Sequence, residues 1–292
     1  MEDKKLKWLF LVVLSIVWGS SFILIKKGLI GLTAFQLGSL RIIFTAIFLF
    51  TIGYKSLKKI KKQYYKPIIA SAILGTFFPV YCFALAETEI DSVIASILNS
   101  LTPLNTLIFG CVFFKMIFHK NQLIGVVVGL LGTLLLIMSG ANLNPEQNYL
   151  FSVFVIIASV CYAFNVNIIK LYMQDLNAMS IATGNFVVIT IPAFIVLIFT
   201  GFFNSETLTS PIVHQSMLYV VVLSIVGTGI AKVCFNRLVQ VSTPIFSSSV
   251  TYTIPIVALI WGVLDGEKIN IMQLVATGII LAGVFLANRK KA

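Results

Sequence analysis

Charged residues are scarce in this chain: they make up 11% of its 292 residues, whereas 59% of the residues are hydrophobic. This composition, with a mean hydropathy of +1.01, excludes an ordinary water-soluble domain and is typical of a helical membrane protein. The apolar stretches run for about 20 residues, the length that an α-helix needs to cross a bilayer. They lack the alternation over about 10 residues that marks barrel strands, so the sequence also excludes a membrane β-barrel.

Groups that carry out catalysis or bind metals are equally few. The chain has two histidines, no Walker-type phosphate loop and no His-Glu-x-x-His pair, so neither ATP hydrolysis nor zinc catalysis is indicated. Its four cysteines lie in apolar segments without paired spacing, which favours packing over disulfides or metal ligation. We therefore predict no metal, no cofactor and no enzymatic activity. The histidines are His119 and His214, and the cysteines are Cys82, Cys111, Cys161 and Cys234.

Ten hydrophobic segments follow one another along the chain and predict an all-α integral membrane protein with ten transmembrane helices. The first segment is too long, and lacks the small-residue cleavage site, for a removable signal peptide. Numbered 1 to 10, the segments span residues 8–25, 33–53, 67–86, 92–114, 121–140, 149–169, 178–201, 216–236, 244–263 and 269–288.

The ten segments fall into two related halves. Identical residues recur at an offset of 152 positions in segments 3 and 4, and at an offset of 144 positions in segments 1 and 2. Because five is odd, the second copy must cross the membrane upside down, so we predict two inverted five-helix repeats at residues 1–143 and 144–292. Such repeats place a substrate site between them near the bilayer midplane. Matching pairs include Gly75 and Gly227, Thr76 and Thr228, Pro103 and Pro255, Ser15 and Ser159, and Lys26 and Lys170.

Lysine and arginine are distributed unevenly around these segments. With a cytoplasmic N-terminus, 16 of the 21 basic residues flank the membrane on its inner side, so the positive-inside rule puts both termini in the cytoplasm, at the inner membrane. The run from Lys58 to Lys66 lies where anionic lipid headgroups would meet it, which accounts for the net charge of +11 without nucleic acid. The predicted partners are therefore membrane lipid and a small-molecule substrate.

Two cations fall inside the segments, whereas all ten carboxylates fall outside the predicted hydrocarbon region. A cation without an acidic neighbour must reach a carbonyl, water or a ligand there, and a bound carboxylate or phosphate would complete the pair. Lys232 shares a polar stripe with Thr228 and Asn236 at four-residue spacing, and snorkelling toward the inner surface is its alternative. For Arg41, bonding to neighbouring carbonyls is favoured over contact with a ligand.

Prolines interrupt corresponding places in the two halves. Pro103 in segment 4 corresponds to Pro255 in segment 9, and a proline inside a membrane helix frees backbone carbonyls that can face a cavity. We therefore predict helix breaks at both positions beside the substrate site, with a simple kink as the alternative.

Glycines form ridges of small residues in segments 5 and 10, which allow helix backbones to approach closely. Packing within a monomer is the first interpretation, and a weak homodimer is the second. The glycines are Gly125, Gly129, Gly132, Gly278 and Gly283.

Several motifs resemble the EamA family of the drug/metabolite transporter superfamily, and the resemblance spans essentially the whole chain. They are the run from Trp18 through Ser21 to Lys26, the Arg41 segment, the two prolines, and Gly266-Glu267 followed by Gln273. The resemblance implies inverted repeats, cytoplasmic termini, a cavity lined mainly by helices 1, 3, 4, 6, 8 and 9, and export of amino acids or related metabolites.

One motif departs from the family pattern. The Gly-Glu pair after segment 9 has Lys115-Met116 as its counterpart after segment 4. We therefore interpret Glu267 as part of a structural helix end and do not count it among the substrate-binding residues.

On that basis, nine residues are predicted to bind substrate around one cavity. Aromatic rings can seal or stack on a solute, and amide and hydroxyl groups orient its polar ends. For each residue, hydrogen bonding between helices or anchoring at the interface is the alternative. The nine are Trp18, Ser21, Asn99, Tyr162, Asn165, Thr228, Lys232, Asn236 and Tyr252, with Arg41 as a further cation that is either structural or in contact with the ligand.

The function predicted from the sequence is secondary transport of small metabolites, above all amino acids or related carboxylates, by an exporter that works through alternating access. Two other classes stay open: a non-transporting membrane partner, and a membrane-embedded lipid-modifying enzyme. Energy coupling also has two routes. Either protons act through Glu87 or Asp91 at the outer edge, or, as we favour, the carrier is a facilitator or exchanger.

Overall fold

The computed structural model describes residues 2–115, 124–125, 127–129, 131–132, 134–135, 138–139, 146–267 and 270–288. Within these ranges all regular secondary structure is helical. Eight of the described helices are long and apolar enough to cross a membrane, and they correspond to segments 1 to 4 and 6 to 9. Their bounds are Lys5–Gly28, Ala34–Leu57, Lys62–Ala86, Ser92–Phe114, Tyr149–Tyr172, Ala178–Phe199, Pro211–Val241 and Pro244–Leu264.

Segments 5 and 10 are described to different extents. Segment 10 forms the helix Ile271–Asn288. In segment 5 every described residue between 124 and 139 is helical, whereas residues 121–123, 126, 130, 133, 136–137 and 140 lie outside the described part of the chain. The structure thus shows an all-helical membrane protein, and its arrangement as ten helices in two repeats stays a prediction.

Several helices extend beyond the predicted segments. Segment 1 begins at Glu2 instead of residue 8, and segment 8 continues to Val241 instead of residue 236. Hydropathy marks only the apolar middle of a helix, while its polar ends continue until a breaker is reached. For segment 8 that breaker is Pro244, which disfavours helical geometry in the residue before it.

Polar caps fix the starts of segments 2 and 7. At the first, the Thr33 side chain accepts the Gln36 backbone N–H while the Gln36 side chain accepts the Thr33 N–H, a reciprocal capping box. At the second, the Asn177 side chain accepts the Ser180 N–H at 2.6 Å. Thr33 and Asn177 are counterparts at the offset that relates segments 1 and 2 to the second half, so the two helices start at matching places.

Segments 3 and 8 each contain a π-helical turn near the middle of the membrane span. The turns lie at Ile73–Phe77 and Leu223–Ile230, which overlap when the two halves are aligned by the offset found for segments 3 and 4. A π turn carries an extra residue in the helix and is often found at functional sites. Here each turn contains the glycine of a repeated Gly-Thr pair.

Segments 4 and 9 are broken at matching places. Segment 4 consists of Ser92–Asn99 and Thr102–Phe114, and segment 9 passes through a 3-10 turn at Ser249–Tyr252. The structure places Pro103 and Pro255 in the first turn of the helix after each break. There a proline costs little, because the N–H that it lacks would have no partner within the helix.

Segments 2 and 7 pack against each other lengthwise. The Ser180 hydroxyl donates to the Ser56 carbonyl at 2.8 Å, and Leu49 and Phe186 are fully buried in one hydrophobic cluster that these two segments share. The outer faces of the helices instead expose large aliphatic and aromatic side chains such as Ile191. That distribution suits a bundle surrounded by lipid, where apolar surface needs no cover.

The glycine ridges of segments 5 and 10 face each other within the chain. A Cβ added at Gly283 would lie 2.5 Å from the Gly129 nitrogen and 2.7 Å from the Gly125 oxygen, whereas Gly278 has nothing within 4 Å. The ridges therefore serve close helix packing inside the monomer. A weak homodimer stays a prediction.

We expect Gly283→Ala to lower stability by about 1–3 kcal/mol, because the new methyl group forces two helix backbones apart. Gly278→Ala is the matched control on the same helix, and it should be neutral or stabilising by up to about 1 kcal/mol, since alanine is the better helix former. Thermal unfolding of both variants in detergent measures the difference. Equal midpoints for the two variants would contradict the close packing.

Candidate functional site

A cavity of about 90 Å³ lies among segments 1, 2, 3, 4, 6, 8 and 9. One water takes up about 30 Å³ in the liquid, so the cavity has room for about three waters or a small solute. Eight of the ten predicted residues line it, drawn from five different segments. They are Trp18, Ser21, Arg41, Asn99, Tyr162, Asn165, Thr228 and Lys232.

Two aromatic pairs form part of the cavity wall. The Trp18 ring lies 5.0 Å from that of Phe235, and its indole N–H donates to the Gly227 carbonyl at 3.0 Å. The Tyr162 ring stacks on Phe83 with 6.0 Å between centroids. Since Trp18 and Tyr162 are counterparts in the two halves, and Phe83 and Phe235 are counterparts as well, the same contact occurs in both halves.

Glycines in the two π turns make room for polar side chains from the facing segments. A Cβ added at Gly227 would lie 2.7 Å from the Ser21 hydroxyl, and one added at Gly75 would collide with the Asn165 amide. The Ser71 hydroxyl orients that amide by donating to Asn165 Oδ1 at 2.6 Å. The two contacts correspond in the two halves, because Gly75 and Gly227 are counterparts and so are Ser21 and Asn165.

Lys232 is buried, and its ammonium group donates to the Gly75 carbonyl across the cavity. Segment 8 continues well past it to Val241, so the amine lies well inside the span. The snorkelling alternative is therefore wrong for this structure. That alternative assumed that segment 8 ends at residue 236, close to Lys232, whereas the helix continues to Val241.

Arg41 is the second buried cation of the cavity. Its Nε donates to the Thr228 hydroxyl at 2.8 Å, so the contact joins segments 2 and 8 through a side chain and not through the carbonyl that we expected. No aspartate or glutamate is present among the described residues that line the cavity. Two positive charges thus share one low-dielectric space without a protein anion.

Asn236 and Tyr252, two of the nine predicted residues, do not line the cavity. Asn236 lies one helical turn beyond Lys232, about 6 Å further along the axis, and its amide donates to the Ala178 carbonyl at 3.3 Å. Tyr252 belongs to the 3-10 turn of segment 9. With three residues per turn, that geometry directs Ser248 and Thr251 toward the cavity instead.

Sequence reasoning missed Thr76, whose hydroxyl is buried beside the cavity and has no hydrogen-bond partner among the described residues. The signal was present in the repeat, because Thr76 is the counterpart of Thr228. Phe83 and Phe235 were also available as a repeated pair, but their aromatic side chains looked like ordinary core residues.

A second polar cluster lies at one end of the bundle, where segments 1 and 9 end and segment 4 begins; we call it the ion-pair end. The Lys26 ammonium group is 2.9 Å from both Glu267 Oε1 and Asp265 Oδ2, and Lys27 also pairs with Asp265. The Glu267 carboxylate additionally accepts the first two backbone N–H groups of segment 4, each at 3.3 Å. It therefore ties three segments together.

Glu267 also closes segment 9, as we interpreted it. Gly266 has φ +86°, and the Glu267 N–H donates to the Gly262 carbonyl at 2.9 Å, which is a glycine-dependent helix end. The sequence did not indicate that the Glu267 carboxylate also bonds Lys26 and the start of segment 4.

The counterpart of Lys26 in the second half is Lys170, and its contacts are different. The Lys170 ammonium group donates to the backbone carbonyls of Val239 and Gln240, at 3.3 and 3.1 Å. Those contacts join the ends of segments 6 and 8 at the opposite end of the bundle. They contain no carboxylate.

Glu87, one of the two acids that we considered for proton coupling at the outer edge, is buried at the ion-pair end. Its Oε2 accepts the Ser92 hydroxyl at 2.9 Å, while its Oε1 has no hydrogen-bond partner among the described residues. Burial raises the pKa of this carboxyl well above its ordinary value. Nothing in the local sequence distinguishes Glu87 from an exposed loop acid.

Comparisons with known proteins agree with this architecture. The sequence model of the EamA-like transporter family matches residues 6–138 and 150–289. The chain belongs to that family. The resemblance found in the sequence is thereby confirmed.

Relatives of this EamA-family protein include an uncharacterized inner membrane transporter of Escherichia coli strain K12, YedA, which is 25% identical over 96% of this chain and 90% of its own. An uncharacterized transporter of Archaeoglobus fulgidus is 22% identical over 98% of this chain and 99% of its own. A solved crystal structure with 17% identity superposes with a TM-score of 0.67 over 96% of this chain and 95% of that one, which shows a shared fold. These findings support a multi-pass inner membrane transporter.

Lys232→Met should leave the stability of the ligand-free EamA-family protein unchanged or raise it by up to about 2 kcal/mol. Methionine keeps most of the side-chain volume and removes a buried charge that has no protein anion in the cavity. Lys232→Ala is the control for lost volume and should lower stability by about 2 kcal/mol or more. Thermal unfolding in detergent compares them, and equal losses in both variants would make the ammonium group a structural element.

Proposed function

We propose that this EamA-family protein carries small carboxylate-bearing metabolites, above all amino acids, across the inner membrane, and that it exports them. The observation that carries the proposal is the cavity with Arg41 and Lys232 and without an acidic side chain among its described lining residues. A buried cation is stabilised by a nearby anion, and a substrate carboxylate would supply it.

Other groups around the cavity suit the rest of an amino acid. The Thr76 hydroxyl, which has no partner among the described residues, can bond a carboxylate oxygen near Lys232. The aromatic faces of Trp18 and Tyr162 can contact a substrate ammonium group through cation–π interactions. The cavity volume of about 90 Å³ favours a small amino acid or short organic acid over a bulky drug.

Transport would proceed by alternating access, with residues 1–143 and 144–292 acting as inverted repeats around the cavity. The repeated contacts of Trp18 with Phe235 and of Tyr162 with Phe83 support this, because each joins one segment of each half. The paired π turns and helix breaks are places where a helix can bend without losing further backbone hydrogen bonds. No covalent step is involved.

The orientation follows from the charges. The run from Lys58 to Lys66 lies at the end of the bundle opposite to the ion-pair end, and we place it, with both termini, in the cytoplasm. There it can contact anionic lipid headgroups. The ion-pair end then faces outward.

The decisive measurement is substrate counterflow in proteoliposomes with labelled amino acids and organic acids. Wild-type protein should exchange at least one carboxylate, and Lys232→Met should reduce that exchange by tenfold or more, since one lost charge contact is worth about 1.4 kcal/mol or more. Lys170→Met is the matched control, because that ammonium group bonds carbonyls outside the cavity.

Each alternative outcome has a meaning. Equal exchange by Lys232→Met and wild type would remove Lys232 from the site. A lack of exchange by every protein, across neutral and cationic solutes as well, would favour a non-transporting membrane partner.

Orientation can be tested separately with single cysteines placed at Lys59 and Glu206 in a cysteine-free background. A membrane-impermeant maleimide applied to intact cells should label the Glu206→Cys protein and not the Lys59→Cys protein, because the positive-inside rule puts residue 59 in the cytoplasm. Disrupted cells provide the control, in which both positions should react. The reverse pattern would invert the topology.

A further inference from the structure

Glu87 and Glu267 are held on either side of one residue at the ion-pair end. The Ser92 hydroxyl donates to Glu87 Oε2 at 2.9 Å, and the Ser92 backbone N–H donates to Glu267 Oε1 at 3.3 Å. Both carboxyl groups are buried, with Glu87 8% exposed and the Glu267 side chain 2% exposed. Two acids thus lie close together away from water.

The cations of this region are bonded to other acids. Lys26 binds Glu267 and Asp265, and Lys27 binds Asp265, so these ammonium groups hold the two acids that follow segment 9. Arg41, from segment 2, and Lys26 both attract an ionised Glu87, but Arg41 Nε is bonded to Thr228 and Lys26 to the other two acids. Glu87 therefore has no ion-pair partner among the described residues.

An ionised Glu87 would be strongly disfavoured in this arrangement. One of its oxygens lacks any hydrogen bond among the described residues, and the Glu267 carboxylate repels it. A proton removes both penalties, because the neutral carboxyl group carries no charge to desolvate. When the ion-pair end separates, water reaches the carboxyl group and the penalty on ionisation disappears.

We propose that Glu87 is a proton-binding site, and that a proton held there keeps the ion-pair end closed. The proposal rests on the carrier function proposed above only in that this end must open during the cycle. It favours the proton route over the facilitator that the sequence alone suggested, and it selects Glu87 over Asp91.

The direction of the pH effect follows from linkage. Burial raises the pKa of Glu87 in the closed arrangement, so the closed form binds the proton more tightly than the open form. Closure is therefore favoured most at pH values below the ordinary glutamate pKa, which Glu87 has in the open form. The preference for the closed form declines as the pH rises from that ordinary pKa to the raised pKa of the closed form. Acid outside the cell would return the carrier to the state that faces the cytoplasm.

The test is a distance measurement by pulsed electron paramagnetic resonance, without substrate. Nitroxide labels at Ile30 and Thr88, both exposed near the ion-pair end, are introduced into the full chain after its four cysteines have been replaced. From pH 5 to pH 8.5 the ratio of long to short distances should rise roughly tenfold for each unit that separates the closed and open pKa of Glu87.

Three variants make the result specific. Glu87→Gln, a permanently neutral isostere, should stay closed at every pH, and Glu87→Asp should restore a pH response. Glu89→Gln, in the same loop, should behave as the wild type.

Two results would overturn the proposal: distances that ignore pH in the wild type, and a pH response that survives in Glu87→Gln. A response to sodium ions at constant pH in place of the pH response would identify the ligand as a metal cation and also overturn it. The distance measurement uses no substrate. Its result can therefore be interpreted even if the counterflow assay detects no transport.

Discussion

The burial of the Lys232 ammonium group constrains the backbone that surrounds the cavity. An ammonium group inside a membrane protein must bond an oxygen, and this one bonds a carbonyl of segment 3. The bond requires a carbonyl that faces the cavity, which the π turn of segment 3 presents at Gly75, the residue that also leaves space for Asn165. The π turn therefore supplies the carbonyl that Lys232 needs, and the glycine within it leaves room for the neighbouring Asn165 side chain.

Much of the fold was predictable because the bilayer restricts the choices. Continuous apolar segments of about 20 residues leave the chain few structures other than helices, so their positions follow from hydropathy. The helix ends were less predictable, since segment 8 continues through Arg237 and Gln240 to Val241 despite their polarity. Polar residues at the end of a helix carry no signal that distinguishes them from a loop.

The candidate site was predictable where the repeat pointed to it. Trp18 and Tyr162 line the cavity as one matching pair, and Ser21 and Asn165 as another. Had every predicted residue been given its counterpart in the other half, Thr76 would have been included as the counterpart of Thr228. Tyr252 was misplaced because a 3-10 turn changes the direction of successive side chains, and the sequence contains no marker for that turn. The burial of Glu87 depends on segments 1, 4 and 9 meeting at one end, a tertiary contact that no local pattern encodes.

The two ends of the bundle are not equivalent, and this has a thermodynamic consequence. Lys26 binds carboxylates, whereas its counterpart Lys170 binds only neutral carbonyls among its described contacts. An ammonium–carboxylate contact adds the attraction between two opposite charges, which an ammonium–carbonyl contact lacks. A protein that opened its two ends in turn would therefore have unequal conformational minima, and when empty it would rest mostly with its carboxylate-linked end shut. In that resting population the cavity would be reached from the opposite side of the membrane.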